Sequence, residues 1–124
     1  MPYITGDRRL AESDYRFMRL IWDNEPLGST RLAELAAREL GWKKSTTYTM
    51  IKKMSEKGFV RSEHAVVRAC VPREQVERAE SAKFVDQTFS GSLPGFLVAF
   101  LGGKKLSGAE AEELKALIDA HRED

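Results

Sequence analysis

Chain-breaking residues divide the first part of this sequence into short segments, and their spacing constrains the fold more than any other feature. Breaks occur at residues 24–28 (Asn-Glu-Pro-Leu-Gly), at Gly41, at Gly58 and at Pro72. Glycine commonly ends helices, and proline interrupts helices and central strands. The intervals therefore have room only for short helices or strands. At 124 residues the chain has the length of one ordinary domain or of two small ones.

Three intervals between these breaks carry apolar residues at helical spacing. The first helix is predicted to begin near Ser13 and Asp14 and to bury a wide apolar face. The second is predicted to begin at Ser29 or Thr30, either of which would cap it, and to end at Gly41. A tight connection then leads directly to the third helix.

The predicted third helix runs from about Ser45 to Lys57 and has two contrasting faces. Thr47, Ile51 and Met54 recur at helical spacing and are predicted to point inward. The opposite face is polar and basic, and it comprises Ser45, Thr46, Thr49, Lys52, Lys53 and Glu56. Such a face is either solvated or binds an anion.

An extended pattern follows the third helix. Residues 59–63 and 66–71 flank a polar tip at His64 and Ala65, which predicts a small two-stranded hairpin. Pro72 closes the second strand, because proline cannot donate to a central ladder.

Three further helices are predicted after this hairpin. A long one spans about Arg73 to Phe89, a short apolar segment lies at residues 96–101, and a capping box at Ser107 opens the last. We therefore expect two domains, residues 1–72 and residues 73–124.

Charge is distributed unevenly between these two parts. Residues 1–72 hold 13 Lys and Arg against 9 Asp and Glu, a net charge of +4, whereas residues 73–124 hold 7 against 10, a net charge of −3. Within residues 43–61, six basic side chains accompany one acid. Such a local excess of positive charge is either a binding surface for an anion or a solvated helix, and composition alone favours the solvated helix.

The order of elements is that of a winged helix-turn-helix followed by a three-helix dimerisation domain, so the fold class is mainly α with a small β-hairpin. Hydroxyls near the start of the third helix can reach base edges, and its lysines, Lys57 included, can neutralise phosphates. Arginines on the hairpin can extend the contact from the wing. The candidate contacts to double-stranded DNA are Lys43, Lys44, Ser45, Thr46, Thr47, Thr49, Lys52, Lys53, Arg61 and Arg68.

The predicted dimerisation domain carries more apolar surface than three thin helices can cover by themselves, which indicates a homodimer. The candidate interface residues are Phe84, Phe89, Phe96, Leu97, Phe100, Leu101, Leu114 and Leu117. A two-fold dimer would present two third helices about 34 Å apart, one turn of DNA. The alternative is a monomer whose last helices fold back on the winged domain.

Other classes of protein have little support in the sequence. Cys70, His64 and His121 do not form a ligand set for a metal, no cofactor motif is present, and the usual catalytic motifs are missing. A Cys70–His64 nucleophilic pair is the one enzymatic alternative. No apolar run of about 18 residues suggests membrane insertion, and the first nine residues lack the order of a secretory signal, so we expect a cytoplasmic protein.

Several segments resemble the BlaI/MecI penicillinase repressor family over roughly residues 10–118. They are residues 14–22, residues 46–61, and the C-terminal Phe89-Ser90-Gly91, Leu97-Val98, Leu106-Ser107 and Glu113-Leu114. The resemblance implies a dimeric transcriptional repressor that binds palindromic operators. It also implies that a membrane sensor relieves repression through proteolysis of the repressor.

Three features depart from the family pattern. Arg68 and Cys70 stand where the second wing strand of the family usually has aromatic residues. The site at which some members are cleaved, between asparagine and phenylalanine, aligns with Ala99 and Phe100. The clustered cysteines of copper-responsive members are missing, which argues against a cysteine-based copper switch.

Two alternative functions remain compatible with the sequence. A winged helix can act as a protein-binding subunit without reading DNA. A DNA-binding regulator can also respond to a small molecule held between its domains, for which Trp22, Trp42 and Phe84 are the candidate apolar groups.

Overall fold

The computed structural model describes residues 10–123, and within that range the chain forms six helices and a small antiparallel sheet. The elements in chain order are α1 (Glu12–Asn24), β1 (Leu27–Gly28), α2 (Ser29–Leu40), α3 (Lys44–Glu56), β2 (Val60–Glu63), β3 (Val66–Ala69), α4 (Arg73–Phe89), α5 (Leu93–Leu101) and α6 (Gly108–Ala120). This order confirms the predicted fold class, a winged helix-turn-helix followed by helices. The prediction that the first nine residues are not a secretory signal concerns residues outside the described range.

The sheet has three strands in the order β1-β3-β2, whereas the sequence predicted a two-stranded hairpin. Leu27 of β1 pairs with Val67 of β3, and Val67 in turn pairs with Ser62 of β2. A strand of two residues is too short to show alternation, which is why the sequence did not reveal β1. Strand β1 joins the wing to the start of α2.

One core unites α1, α2, α3 and the sheet. Its largest fully buried side chains include Phe17 and Met18 of α1, Met54 of α3 and Phe59 before β2. Val76 of α4 is also fully buried in this core. The start of α4 is therefore packed against the winged helix-turn-helix.

The helix ends correspond in part to the predicted caps. Gly41 ends α2 with a left-handed φ of 72°, as expected of a glycine at this position. Ser107 accepts a hydrogen bond from the Glu110 N–H at 3.1 Å, as the predicted cap requires. The predicted cap of α2 is wrong, because Gly28 is the N-cap residue and Ser29 already lies in the helix, where its N–H donates to Ala65.

The chain divides into two compact units after Ser81. Helix α4 contributes its first residues to one unit and its last residues to the other. The domain boundary at residues 72 and 73 stays a prediction, since it concerns which segments fold and act independently.

The second unit has no buried side chain among its described residues, 82–123. No side chain of α5 or α6 is buried. Six large apolar residues of this unit are at least half exposed, and they are Phe84, Leu93, Val98, Phe100, Leu117 and Ile118. A ring cluster joins α4 to α5, with Phe89 and Phe96 at 5.5 Å between ring centroids and Phe96 and Phe100 at 5.7 Å. Among residues 10–123, no helix is long and apolar enough to cross a membrane.

Candidate nucleic-acid interface

The turn between α2 and α3 is fixed by packing as well as by Gly41. Trp42 stacks on Phe17 of α1 with 5.6 Å between ring centroids, and its backbone N–H donates to the Ala36 carbonyl at 3.3 Å. Since Phe17 is fully buried, this contact holds the start of α3 against the core. Trp42 thus fixes the start of α3 relative to α1 and α2.

Helix α3 has the two faces that the sequence predicts. Thr47, Ile51 and Met54 are buried. The outer side chains are exposed, and they are Ser45, Thr46, Thr49, Lys52, Lys53 and Glu56. No side-chain hydrogen bond from the N-cap residue Lys43 caps the helix, and both Lys43 and Lys44 are exposed. The N-terminus of a helix that begins with two cations suits a phosphate.

Thr47 requires a correction. Its side chain is fully buried, so it cannot reach DNA, and it leaves the list of candidate contacts. The inward position follows from its spacing with Ile51 and Met54, which place it on the core side of α3. In the described part of the chain, the Thr47 hydroxyl has no hydrogen-bond partner.

Tyr48 is a surface residue that the sequence interpretation missed. It is 38% exposed, and hydrogen bonding with the Thr30 hydroxyl, followed by that with Ser29, lowers the pKa of Tyr48 below its ordinary value of 10.0. The Lys44 ammonium lies 5.9 Å from the ring centroid. The helical spacing of Lys44 and Tyr48 is the signal that could have paired them.

Asp14 is a second residue that the sequence interpretation missed, and it bridges α1 and α3. Its carboxylate is almost completely buried and lies 3.2 Å from the Lys53 ammonium and 3.8 Å from that of Lys57. The Ala11 N–H donates to the same carboxylate at 3.2 Å. A charged residue one turn from Phe17 and Met18, on the apolar side of α1, was the available signal.

The wing carries two arginines on its outer face. Arg61 and Arg68 are exposed and are direct cross-strand partners on β2 and β3. Arg61 also lies 3.5 Å from Glu63. Both predicted wing residues therefore occupy one solvent-facing surface, opposite the buried Val60 and Val67.

Two hydrogen bonds hold the wing in place. The Ser29 N–H donates to the Ala65 carbonyl at 2.8 Å, and the Ala69 N–H donates to the Glu25 carboxylate at 2.7 Å. His64 and Ala65 adopt positive φ angles of 54° and 61° at the tip. The wing is thereby attached to the start of α2.

Trp22 and Trp42, two of the residues proposed for a small molecule, each contact another residue of the first unit. The Trp22 indole N–H donates to the Val71 carbonyl at 2.9 Å, and Trp42 packs on Phe17. A cavity of about 350 Å³ is lined instead by Leu10, Ala11, Glu12, Tyr15, Glu77 and Glu80. Burial, followed by the charge of Glu77, raises the pKa of Tyr15.

His64 lies at the tip of the hairpin formed by β2 and β3, whereas Cys70 lies at its base, where its N–H donates to the Phe59 carbonyl. Cys70 is an exposed free thiol. Among residues 10–123, no three His, Cys, Asp or Glu side chains are grouped so that they could hold a metal ion.

The predicted dimer residues all lie in the second unit. Phe84, Phe100, Leu114 and Leu117 are exposed. The others are partly buried, and they are Phe89, Phe96, Leu97 and Leu101. The four exposed residues are aromatic and aliphatic groups that a single chain leaves in solvent.

Comparison with known proteins identifies the family. The sequence model described as Penicillinase repressor matches residues 10–120. The chain belongs to the penicillinase repressor family. This confirms the resemblance noted in the sequence.

Two curated relatives in this family match over most of their length. The penicillinase repressor of Bacillus licheniformis is 21% identical over 119 residues, which cover 92% of this chain and 92% of the relative. The methicillin resistance regulatory protein MecI of Staphylococcus aureus (strain Mu50) is 20% identical, over 89% of this chain and 93% of the relative. The family is one of transcriptional repressors, a class of DNA-binding regulators rather than enzymes.

Proposed function

We propose that this chain is a cytoplasmic transcriptional repressor that binds a palindromic operator as a homodimer. The observation that carries the proposal is the outer face of α3, where exposed hydroxyls and lysines follow a tight turn from α2. Membership of the penicillinase repressor family supports the same class of function.

Base reading is assigned to the first turns of α3. Ser45, Thr46 and Thr49 are exposed, and the N-terminal residues of a recognition helix are those that contact base edges. Hydroxyls can donate to or accept from a base edge, so these side chains suit direct readout.

Phosphate binding is assigned to the cations around α3 and on the wing. Lys43, Lys44 and Lys52 are exposed beside the hydroxyl face. Arg61 and Arg68 add two positive charges, which face each other across the two strands of the wing. Such contacts fix the position of the protein on DNA without reading its sequence.

Dimerisation is assigned to the second unit. Its helices α5 and α6 have no buried side chain, although they carry Phe100, Leu114 and Leu117. Apolar surface of this kind marks an interaction site, and a second copy offers an identical, self-complementary surface. Two copies then present two α3 helices to a palindromic site.

Release of repression is proposed to depend on a membrane sensor pathway, as the family resemblance implies. The aligned cleavage position, Ala99 and Phe100, is exposed in α5. Cleavage there would separate α6 from α4 and would remove part of the proposed dimer surface.

The test is binding of the purified protein to the DNA upstream of its own gene, measured by fluorescence anisotropy over a salt series. A scrambled duplex of equal composition is the control. We expect discrimination of about a thousandfold or more, with affinity that falls steeply as salt rises. Equal weak binding to both duplexes contradicts the operator assignment, and no binding at low salt would favour a protein-binding subunit instead.

A further inference from the structure

We propose that Asp14 is a positioning residue that restrains Lys53 and Lys57 and thereby limits sequence-independent binding to DNA. The inference rests on the proposed function, because it concerns how strongly the same surface binds the phosphates of DNA. It assigns different roles to two neighbouring lysines of α3.

The first step is the geometry of the ion pairs. The two ammonium groups lie 3.2 Å and 3.8 Å from the Asp14 carboxylate, which is only 2% exposed. The Lys53 and Lys57 side chains are 45% and 30% exposed, respectively. Both cations are therefore paired with a buried anion, although their side chains remain partly exposed.

The second step is the location of this carboxylate. Asp14 lies in the first turn of α1, where an anion is favoured by the helix dipole. Lys53 lies in the last turn of α3, where a cation is favoured for the same reason. The pair thus joins two complementary helix ends and holds α3 by its C-terminal part.

The third step is the contrast with Lys52. Lys52 is exposed, and it lies on α3 one turn after Thr49, which is proposed to read bases. Lys53 points towards α1, where Asp14 binds it. Lys52 therefore contacts phosphate, whereas Asp14 keeps Lys53 and Lys57 from making the two further phosphate contacts that the sequence predicted.

The consequence concerns the affinity for DNA of any sequence. Each phosphate contact adds affinity for every sequence alike, so extra contacts raise binding to scrambled DNA as much as binding to the operator. Asp14 therefore lowers the sequence-independent part of the affinity.

The experiment compares Asp14→Asn with the wild type on operator and scrambled duplexes over a salt series. Asparagine has nearly the same shape and keeps an acceptor for the Ala11 N–H, but it lacks the charge that holds the lysines. We expect tighter binding to both duplexes and a slope of log K against log salt that is steeper by up to about 1.8, since each contact contributes about 0.9. Between 50 and 200 mM salt this corresponds to an additional loss of affinity of about twelvefold.

A matched pair of variants keeps the proposal testable if Asp14→Asn does not fold. Lys52→Gln is expected to flatten the slope by about 0.9, whereas Lys53→Gln leaves the slope unchanged. Circular dichroism shows that each variant is folded. A purely structural ion pair would alter stability without altering the salt slope of a folded variant.

The outcomes separate this inference from the proposed function. Two results would overturn the role of Asp14 while the wild type still discriminates the operator and the proposed function stands. One is an unchanged salt slope in folded Asp14→Asn. The other is an equal flattening of the salt slope by Lys52→Gln and Lys53→Gln. If the wild type binds neither duplex, both are overturned.

Discussion

Arg61 and Arg68 lie directly opposite each other on β2 and β3, with both side chains in solvent. Like charges in this position destabilise a strand pair. The neighbouring Glu63, 3.5 Å from Arg61, offsets part of the repulsion. A wing built in this way loses stability in the free protein and gains it when phosphates approach.

The first prediction is that Arg68→Gln stabilises the free protein and weakens DNA binding. Removal of one of the two facing positive charges relieves their repulsion and raises the free energy of unfolding by about 0.5 kcal/mol, within the range of cross-strand pairs. Loss of one phosphate contact flattens the salt slope by about 0.9. Urea denaturation and anisotropy measure the two effects.

The control for this prediction is Arg78→Gln, which removes the same charge from an exposed position on α4. It leaves the salt slope unchanged if the wing contact is specific. A lower stability of Arg68→Gln with an unchanged slope contradicts the proposed role of the wing.

Much of the fold could be predicted because local signals and packing agree. The inward set Thr47, Ile51 and Met54 follows from helical spacing and is confirmed by burial. Gly41 ends α2 where the sequence indicates. Strand β1 escaped prediction because its two residues pair with β3, a partner about 40 residues away that local pattern cannot reveal.

The candidate site was predicted less completely, for a physical reason. Exposed positions of α3 follow from periodicity, but contacts between helices do not. Asp14 meets Lys53 across 39 positions of sequence, and Tyr48 meets Thr30 from another helix. Such pairs depend on how α1 and α2 pack on α3, which no single segment encodes.

The second prediction distinguishes two adjacent faces of α3. Thr49→Ala removes an exposed hydroxyl, so it weakens operator binding by about 1 to 3 kcal/mol, as expected for one base pair. Thr46→Ala acts in the same way. Both variants keep the stability of the wild type within about 0.5 kcal/mol, because exposed positions contribute little to folding. Anisotropy and thermal denaturation test both statements.

Thr47→Val is the matched comparison. Its hydroxyl is buried without a hydrogen-bond partner among the described residues. Replacement by a methyl group removes an unsatisfied polar atom and raises the free energy of unfolding by about 1 kcal/mol. Operator affinity stays unchanged, and a marked loss of affinity would show that Thr47 contributes to DNA reading after all.

The third prediction concerns the strained wing tip. Ala65 has a φ of 61°, which costs an L-residue about 1 to 2 kcal/mol relative to ordinary conformations. Ala65→Gly relieves this strain, and after the larger entropy of the unfolded chain is included we expect a gain of about 0.5 kcal/mol. The Ser29 N–H keeps its bond to the residue 65 carbonyl.

Ala37→Gly in α2 is the control for the wing-tip variant. Ala37 is exposed within a regular helix, so glycine there destabilises the protein by about 0.5 to 1 kcal/mol. Urea denaturation measures both variants. Equal losses of stability at the two positions would show that Ala65 is not strained.

The fourth prediction concerns the ionisation of Tyr48 and Tyr15. Hydroxyl contacts from Thr30 and Ser29 lower the pKa of Tyr48, whereas burial raises that of Tyr15, both from 10.0. Tyr48 therefore ionises first in an alkaline titration followed by ultraviolet absorbance, and Tyr48→Phe removes the early step. Bound operator raises the pKa of Tyr48, because nearby phosphates disfavour a phenolate.

The same shifts set the direction of alkaline stability. A raised pKa means that folding favours the neutral Tyr15 phenol, so its stabilising contribution is present below pH 10 and is lost as pH rises through the raised pKa. Tyr15→Phe cannot ionise and loses less stability than the wild type above pH 10. An unchanged alkaline profile in this variant contradicts the burial of Tyr15.

The fifth prediction is that Phe100→Glu dissociates the dimer. Phe100 is 52% exposed within one chain, so a single copy tolerates the carboxylate, but a partner copy that covers this position would bury an unpaired charge at high cost. Sedimentation velocity is expected to give a dimer for the wild type and a monomer for the variant. Gln87→Glu adds the same charge at an exposed polar position of α4 and is expected to remain a dimer. If Phe100→Glu also sediments as a dimer, the apolar surface of α5 is not the interface.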